Sequence, residues 1–489
     1  MDQGINRREF FNTSAAGTIC MSSIMRPVSV GAVEAAPRNR NGMTKTRIGK
    51  VYLGRSSPGW PTPTLNLEED KQRIEAEFAK LGDAFRDIEF VDGGIVSINR
   101  EIEPVLEKFK DVDGILAIHL SLGVGPLLIE LLKLGIPITL FSQPYSGHEW
   151  HIIAPLQKQG KKIDVFPTSE FSDLATAIRP FRAIHRMKEA KILYMDAREA
   201  DPEYVKIIKD KFGTEIKTTP YQLLPDAYHS VDQEQVMIEA KRWMDEAEKI
   251  VEPTKEEIIN SARMYLALVK MLEEEKADLI TISCLGLGLM QQGLAYPCLG
   301  FSRLNGMGLG GVCEADLKSS MTHLIFQYLT GKPGFVSDPV VDLSNSTIIH
   351  AHCVSAIKMD GPDGEQCPYI IRSHLEDNLG ASLQVKMRIG QPISMARLIG
   401  SDIMLFSTGK IIDNPDSERG CRTKITTKVE HVEKILENYS CGLHRVIFYG
   451  DHTRDIKRFC RFMDISVLHE GEENLFDVPG LEWETYIHA

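Results

Sequence analysis

From residue 47 onward, short apolar runs alternate with amphipathic stretches in which apolar residues return every three or four positions. Segments 47–53, 88–91, 114–120, 136–141 and 163–166 predict strands, and 68–81, 102–109, 126–133 and 148–158 predict helices between them. Strands joined through helices run parallel, because only a long crossover returns the chain in the same direction. The expected product is a parallel sheet covered on both faces, with ligands beyond the carboxyl ends of its strands. A linking helix over 171–187 leads to a second round. This has strands at 191–196 and 216–218, helices at 205–212, 232–248 and 255–275, apolar runs at 278–283 and 298–301, and a helix over 315–330. After Pro333 the pattern changes to β-branched runs at 347–351, 382–389, 403–407 and 445–449, separated by Gly, Pro and Asp. The predicted fold is α/β: two doubly wound parallel-sheet domains, 45–187 and 188–332, followed by a β-rich, barrel-like C-terminal domain, 333–489. A chain of 489 residues exceeds what one hydrophobic core usually organises, which agrees with several packed units.

Hydrophobic content of 43% and charged content of 25% are those of an ordinary globular protein. The net charge of −12 comes without a long like-charge block, so a small-molecule partner is expected and a nucleic-acid partner is not. Beyond the N-terminal region no stretch predicts a membrane span. The nine cysteines include no CxxC pair, which argues against both a disulfide framework and a structural zinc knot. Residues 1–36 read differently. Asn6-Arg7-Arg8-Glu9-Phe10-Phe11, followed by the small and apolar run 13–25 and the Ala-rich 32–36, resembles a twin-arginine export signal. It predicts a periplasmic or otherwise exported protein that crosses already folded, a route suited to a chain carrying a metal. The competing reading is a basic N-terminal tail.

The densest run of chemistry-bearing residues spans the junction of the second and third predicted domains. It contains Gly311-Val312-Cys313-Glu314-Ala315-Asp316, then Lys332-Pro333-Gly334-Phe335-Val336-Ser337-Asp338, then Ile348-Ile349-His350-Ala351-His352-Cys353, with Leu443-His444-Arg445-Val446-Ile447-Phe448-Tyr449-Gly450-Asp451 further on. A Cys-Glu-x-Asp opening a helix, a Gly-Lys-Pro-x-Phe-x-x-Asp, a strand ending in His-Cys and a later His before an apolar run, in that order, resemble the L-fucose and L-arabinose isomerase superfamily. The likeness is nearest its fucose isomerase-like branch. The resemblance implies two α/β domains and a β-barrel, a homo-oligomer (trimer or hexamer), and a divalent cation, usually Mn²⁺. It further implies that Glu314, Asp338 and His444 hold this ion, with Asp342 as an alternative to Asp338. His352 matches a position that is a ligand or a substrate contact in different members.

Converting an aldose to a ketose moves a proton between C1 and C2 through an enediol, and a carbon acid beside a carbonyl is too weak to ionise unaided. A divalent ion can stabilise the enediolate charge, while neighbouring carboxylates carry the proton. Glu314 and Asp338 are the expected catalytic pair, His444 a ligand, and His352 or Asp316 a contact to the sugar. Each has a plainer reading: Glu314 as a first-turn helix carboxylate, Asp338 as a turn initiator, His444 as a core histidine, and His350 with His352 as a metal-hydrolase pair. The glycines of 306–311 imitate a dinucleotide loop without the βαβ context that such a loop needs. Ser146-Gly147-His148-Glu149-Trp150-His151 follows the fourth predicted strand, where His148 and Trp150 could contact a sugar; the alternative is an exposed helix start. The functional expectation is therefore a metal-dependent aldose–ketose isomerase acting on a small sugar. Its rivals are a metal-dependent lyase or hydrolase on a modified sugar or glycoside, and a catalytically silent sugar-binding protein of the same fold.

Overall fold

The computed structural model describes residues 44–439 and 441–475. The Arg7-Arg8 motif and the final stretch of the chain lie outside them. Five strands, β1 (Thr46–Leu53), β2 (Ile88–Val96), β3 (Gly114–His119), β4 (Ile138–Ser142) and β5 (Ile163–Pro167), form a sheet in the order β2-β1-β3-β4-β5. Every pairing in it is parallel. β3 is buried along its whole length, as expected of a strand with helices on both faces. The order reverses between β1 and β3, and such a reversal opens a crevice at the carboxyl ends.

The second sheet takes β6 (Lys191–Met195) and β7 (Glu215–Thr218). After the short β8 (Lys249–Ile250) it adds β9 (Leu279–Ile282) and β10 (Gly310–Cys313), in the parallel order β10-β9-β6-β7. The helix Lys255–Glu275 covers it with the bounds expected from the sequence. Its start is fixed by a reciprocal cap: the Glu257 N–H donates to Thr254 Oγ1 at 3.2 Å, and the Thr254 N–H donates to Glu257 Oε2 at 2.8 Å. Ile258, Ala262, Leu268 and Leu272 line its buried face, where each large aliphatic side chain contributes about 1.5–3 kcal/mol.

The third part is a barrel. Its strands are β11 (Phe335–Asp342), β12 (Thr347–His352), β15 (Pro392–Ile399), β16 (Ile403–Asp413), β17 (Thr423–Val429) and β18 (Arg445–Tyr449), while β13 (Tyr369–Arg372) and β14 (Ser382–Val385) pair beside β8. The antiparallel order β15-β18-β11-β12-β17-β16 closes because β15 also pairs with β16, and β19 (Ser466–His469) adds to β16 in parallel. Closure removes the exposed edges that an open sheet would present. The α/β class with a β-rich C-terminal barrel is thus the observed architecture. Between them, Phe335, Ile348, Ile393, Met395, Ile425, Ile447 and Tyr449 pack as one apolar cluster.

Two apolar segments take a form that their pattern alone does not give. The linking helix over 171–187 is broken into a turn at Phe171–Asp173, a short helix Leu174–Ala177 and a longer one, Arg179–Glu189. Pro180 has no N–H to donate, and its ring would meet the carbonyl four residues back, so the helix restarts there. The apolar run 298–301 opens the helix Cys298–Gly306. Within the β-rich part, helix Thr453–Phe462 reaches back to the first sheet. Phe462 stacks on Phe181 with centroids 5.7 Å apart, and Arg458 Nε lies 2.7 Å from Asp164 Oδ2. Among the described residues no helix is long and apolar enough to cross a membrane.

Candidate metal centre

Strand register brings the acidic and imidazole side chains to one end of the barrel. Ser337 of β11 pairs with Arg445 of β18, so the next step along both strands sets Asp338 against His444. On its other side β11 pairs with β12, where Asp338 faces Ala351, the neighbour of His352. Glu314 arrives from the second sheet, one residue beyond β10. It and Ala315 adopt left-handed backbone, with φ of 62° and 53°. Two such non-glycine residues in succession cost roughly 1–2 kcal/mol each, and strain of this kind concentrates at functional sites. The helix Leu317–Thr330 is capped by Asp316, whose carboxylate accepts the Ser319 N–H at 3.0 Å, so capping falls to Asp316 and leaves Glu314 free of it.

The donor atoms are close. His444 Nε2 lies 3.3 Å from Glu314 Oε2 and 3.4 Å from Asp338 Oδ1, and His352 Nε2 lies 3.5 Å from Glu314 Oε1. Donors bound to one divalent ion at roughly 2.0–2.2 Å stand about 3.0–3.5 Å from one another. Asp338 Oδ1, His352 Nε2 and His444 Nε2 are buried with no hydrogen-bond partner, and they lie within 4.8 Å of each other. Buried polar atoms are normally paired, so three orphans pointing at a common centre fit a cation. Carboxylate and imidazole donors suit Mn²⁺ and the other first-row divalent ions.

Electrostatics favour the same arrangement. The imidazoles of His352 and His444 beside it hold the Glu314 carboxyl well below the usual carboxylate range, against the opposing effect of burial. Burial raises Asp338, only partly offset by the two imidazoles. Burial also works against charge on His444, yet Asp316 and Glu314 beside it raise its pKa to about 10.

Each histidine presents its Nε2 to the cluster. His444 Nδ1 donates to Asp316 Oδ2 at 2.9 Å and directs Nε2 to the cluster, the carboxylate–histidine pairing common behind metal ligands. His352 Nδ1 accepts the Cys353 N–H at 2.9 Å, so in the neutral ring the proton sits on Nε2, which becomes a ligand atom only after that proton moves. Two arginines fix the His444 backbone: Arg397 Nη1 donates to its carbonyl at 3.3 Å and to Asp316 Oδ2 at 2.8 Å, and Arg445 Nη1 donates to the same carbonyl at 3.0 Å. Arg445 is itself held by Glu470, with Nη2 2.6 Å from Oε1 and both side chains fully buried. Neither arginine was anticipated from sequence. The signal for Arg397 was available, since a charge inside the apolar run Pro392–Ile399 demands a buried partner; Glu470 carried none.

Other expected residues lie apart. Asp342 closes the turn after β11, accepting from Ser344 Oγ at 2.6 Å and Asn345 Nδ2 at 2.7 Å. His350 is a fully buried core residue, with Nδ1 3.2 Å from Ser337 Oγ and Nε2 3.1 Å from Thr427 Oγ1. The glycine run leaves a helix and enters β10, the reverse of a dinucleotide loop, and a Cβ on Gly311 would sit 2.6 Å from Phe301 Cα. His148 and Trp150 stand at the carboxyl end of the first sheet. There the ring of His148 lies 5.9 Å from Trp60, and the buried Glu149 accepts the Gly123 N–H at 2.6 Å and pairs with His119 Nε2 at 3.0 Å. A cavity of about 1030 Å³ opens beside Glu314, Asp316 and His444, bounded by Tyr194, Tyr204 and Tyr439; neither His148 nor Trp150 lines it.

No family model and no curated protein matches the chain. A crystal structure of a protein from Mycobacterium smegmatis aligns with 59% of this chain and 87% of its own, at 11% identity and a TM-score of 0.12. A likeness that slight carries no argument about fold or function. The reading of the site therefore rests on its own geometry and on the motifs.

Proposed function

We propose that the protein is a metal-dependent sugar isomerase that interconverts an aldose and a ketose through an enediol. One observation carries the reading: the partnerless Asp338 Oδ1, His352 Nε2 and His444 Nε2 converge beside Glu314. The motif order around these residues supplies the choice of chemistry. A divalent ion there, Mn²⁺ or another, would stabilise the negative charge that develops on the sugar oxygens. The chain's own groups do the rest. The Asp316–His444 pair fixes one ligand, and His352 Nε2 faces the ion or a sugar hydroxyl. Glu314 stays ionised, whereas Asp338 takes a proton at its carboxylate from one carbon and returns it to the other. The proposal includes twin-arginine export, on the strength of Arg7-Arg8, and a homo-oligomer, trimer or hexamer, on the motif resemblance.

The test is elemental analysis of the purified protein beside Glu314→Gln and His444→Ala. A stoichiometric divalent ion in the wild type, lost in both variants, supports the site and justifies screening aldoses and ketoses with that ion. A wild type that binds no ion even in excess ends the isomerase reading and leaves the silent sugar-binding protein. The cavity volume favours one further reading, a lyase or hydrolase on a modified sugar or glycoside, because about 1030 Å³ is at the upper end for a drug-sized ligand. That reaction releases a second product, and an isomerase releases none.

A further inference from the structure

Successive side chains of a strand point to opposite faces, so the residue before a ligand normally looks away from it. Here the left-handed turn at Glu314 and Ala315 breaks that rule. Cys313, the last residue of β10, offers its Sγ within 4.8 Å of a Glu314 oxygen and a His352 nitrogen, a second set of donors that shares His352 with the first. Cys313 is buried, and the thiol of Cys284 is its neighbour. An independent observation points to a ligand at the same place: His352 is 3% exposed, and its Nε2 has no hydrogen-bond partner.

We propose that Cys313 Sγ is a ligand of the ion held by Glu314 and His352, so that the centre takes a borderline ion such as Zn²⁺, Co²⁺ or Fe²⁺ in preference to Mn²⁺ or Mg²⁺. The inference rests on the metal-centre reading and names the class of ion that the site selects. Thiolate is a softer donor than carboxylate or imidazole, and it shifts selectivity toward the thiophilic members of the series. On binding, the S–H bond of Cys313 breaks, its proton passes to solvent, and the electron pair left on sulfur forms the bond to the ion, while the ring proton of His352 moves from Nε2 to Nδ1 in exchange for the Cys353 hydrogen bond and frees the Nε2 lone pair; no electron is transferred. A coordinated thiol is deprotonated outright even where burial would otherwise keep it neutral. Cys284 can then donate its S–H to the thiolate, the kind of outer hydrogen bond that tunes metal ligands.

The experiment is a Co²⁺ titration of the full chain followed by absorption spectroscopy, in wild type, Cys313→Ser and Cys284→Ser. The expected result is an intense near-ultraviolet thiolate-to-Co²⁺ charge-transfer band that is present in wild type and Cys284→Ser and absent in Cys313→Ser. Competition between Zn²⁺ and Mn²⁺ should show at least a tenfold loss of preference for Zn²⁺ in Cys313→Ser. Stoichiometric Co²⁺ without the band in wild type overturns the proposal, and this holds even if the variant does not fold. A band that survives Cys313→Ser also overturns it. Absence of any bound Co²⁺ in wild type defeats instead the metal-centre reading on which the proposal depends.

Discussion

Asp316 Oδ2 lies 2.9 Å from His444 Nδ1, so the residue that caps a helix of the second sheet also aims an imidazole from the barrel. Asp316→Asn keeps a good helix cap and removes the charge behind the ring. The expected outcome is a 10–100-fold loss of Mn²⁺ or Zn²⁺ affinity, accompanied by a fall in Tm because the same carboxylate also pairs with the buried Arg397. Isothermal titration checks it, and affinity within about twofold of wild type would mean that the pair is only structural.

Asp338→Asn and Asp342→Asn separate the two candidate aspartates. Asp338 Oδ1 is 3.4 Å from His444 Nε2, whereas Asp342 is occupied by Ser344 and Asn345. Bound ion measured by mass spectrometry should be lost in Asp338→Asn and unchanged in Asp342→Asn.

The ion-free protein should be most stable in mildly acidic solution. His444 is raised from 6.5 to about 10 in the folded chain, so its contribution is full below about pH 6.5 and is lost as pH climbs through about 10. Glu314 is depressed from 4.5, so its contribution is full above about pH 4.5 and is lost as pH falls through its folded value. With its side chain 46% exposed, solvent screens the Glu314 pairs and makes the acid limb the shallower one. Melting curves should therefore peak between about pH 4.5 and 6.5. Because ion and proton compete for His444 Nε2, ion affinity should instead rise toward pH 10. A pH-independent affinity would place His444 outside the ligand set.

Glu470→Gln leaves Arg445 without its counter-charge in a fully buried setting. Breaking such a pair costs about 3–5 kcal/mol, whereas replacing both members with apolar residues is often close to neutral. Chemical denaturation should show Glu470→Gln strongly destabilised, and Arg445→Met with Glu470→Met together should recover most of the loss.

Much of this arrangement was legible in the sequence because it depends on local pattern. The alternation through residue 283 encoded the first sheet and three strands of the second but not β10, and apolar periodicity placed the helix Lys255–Glu275. Glu314, Asp338, His352 and His444 stood out by motif order. What stayed hidden depends on pairing between distant strands. Barrel closure through β15 and β16, the Arg397 bridge and the Arg445–Glu470 pair bring together residues whose spacing along the chain has no period to read. Pro180 was visible, and in the structure it restarts the helix that an apolar pattern of helical period would have continued.

The donors around Glu314 also set an order of assembly. Glu314 belongs to a sheet whose strands have all been made by Cys313, but Asp338, His352 and His444 are fixed only when the barrel ring shuts, and β18 belongs to that ring. A nascent chain that stops short of residue 449 can fold two sheets and still lack a four-donor site. Ion uptake would thus be a late event on the ribosome's product, and a protein preparation that binds its ion in full has, by that fact, completed its last domain.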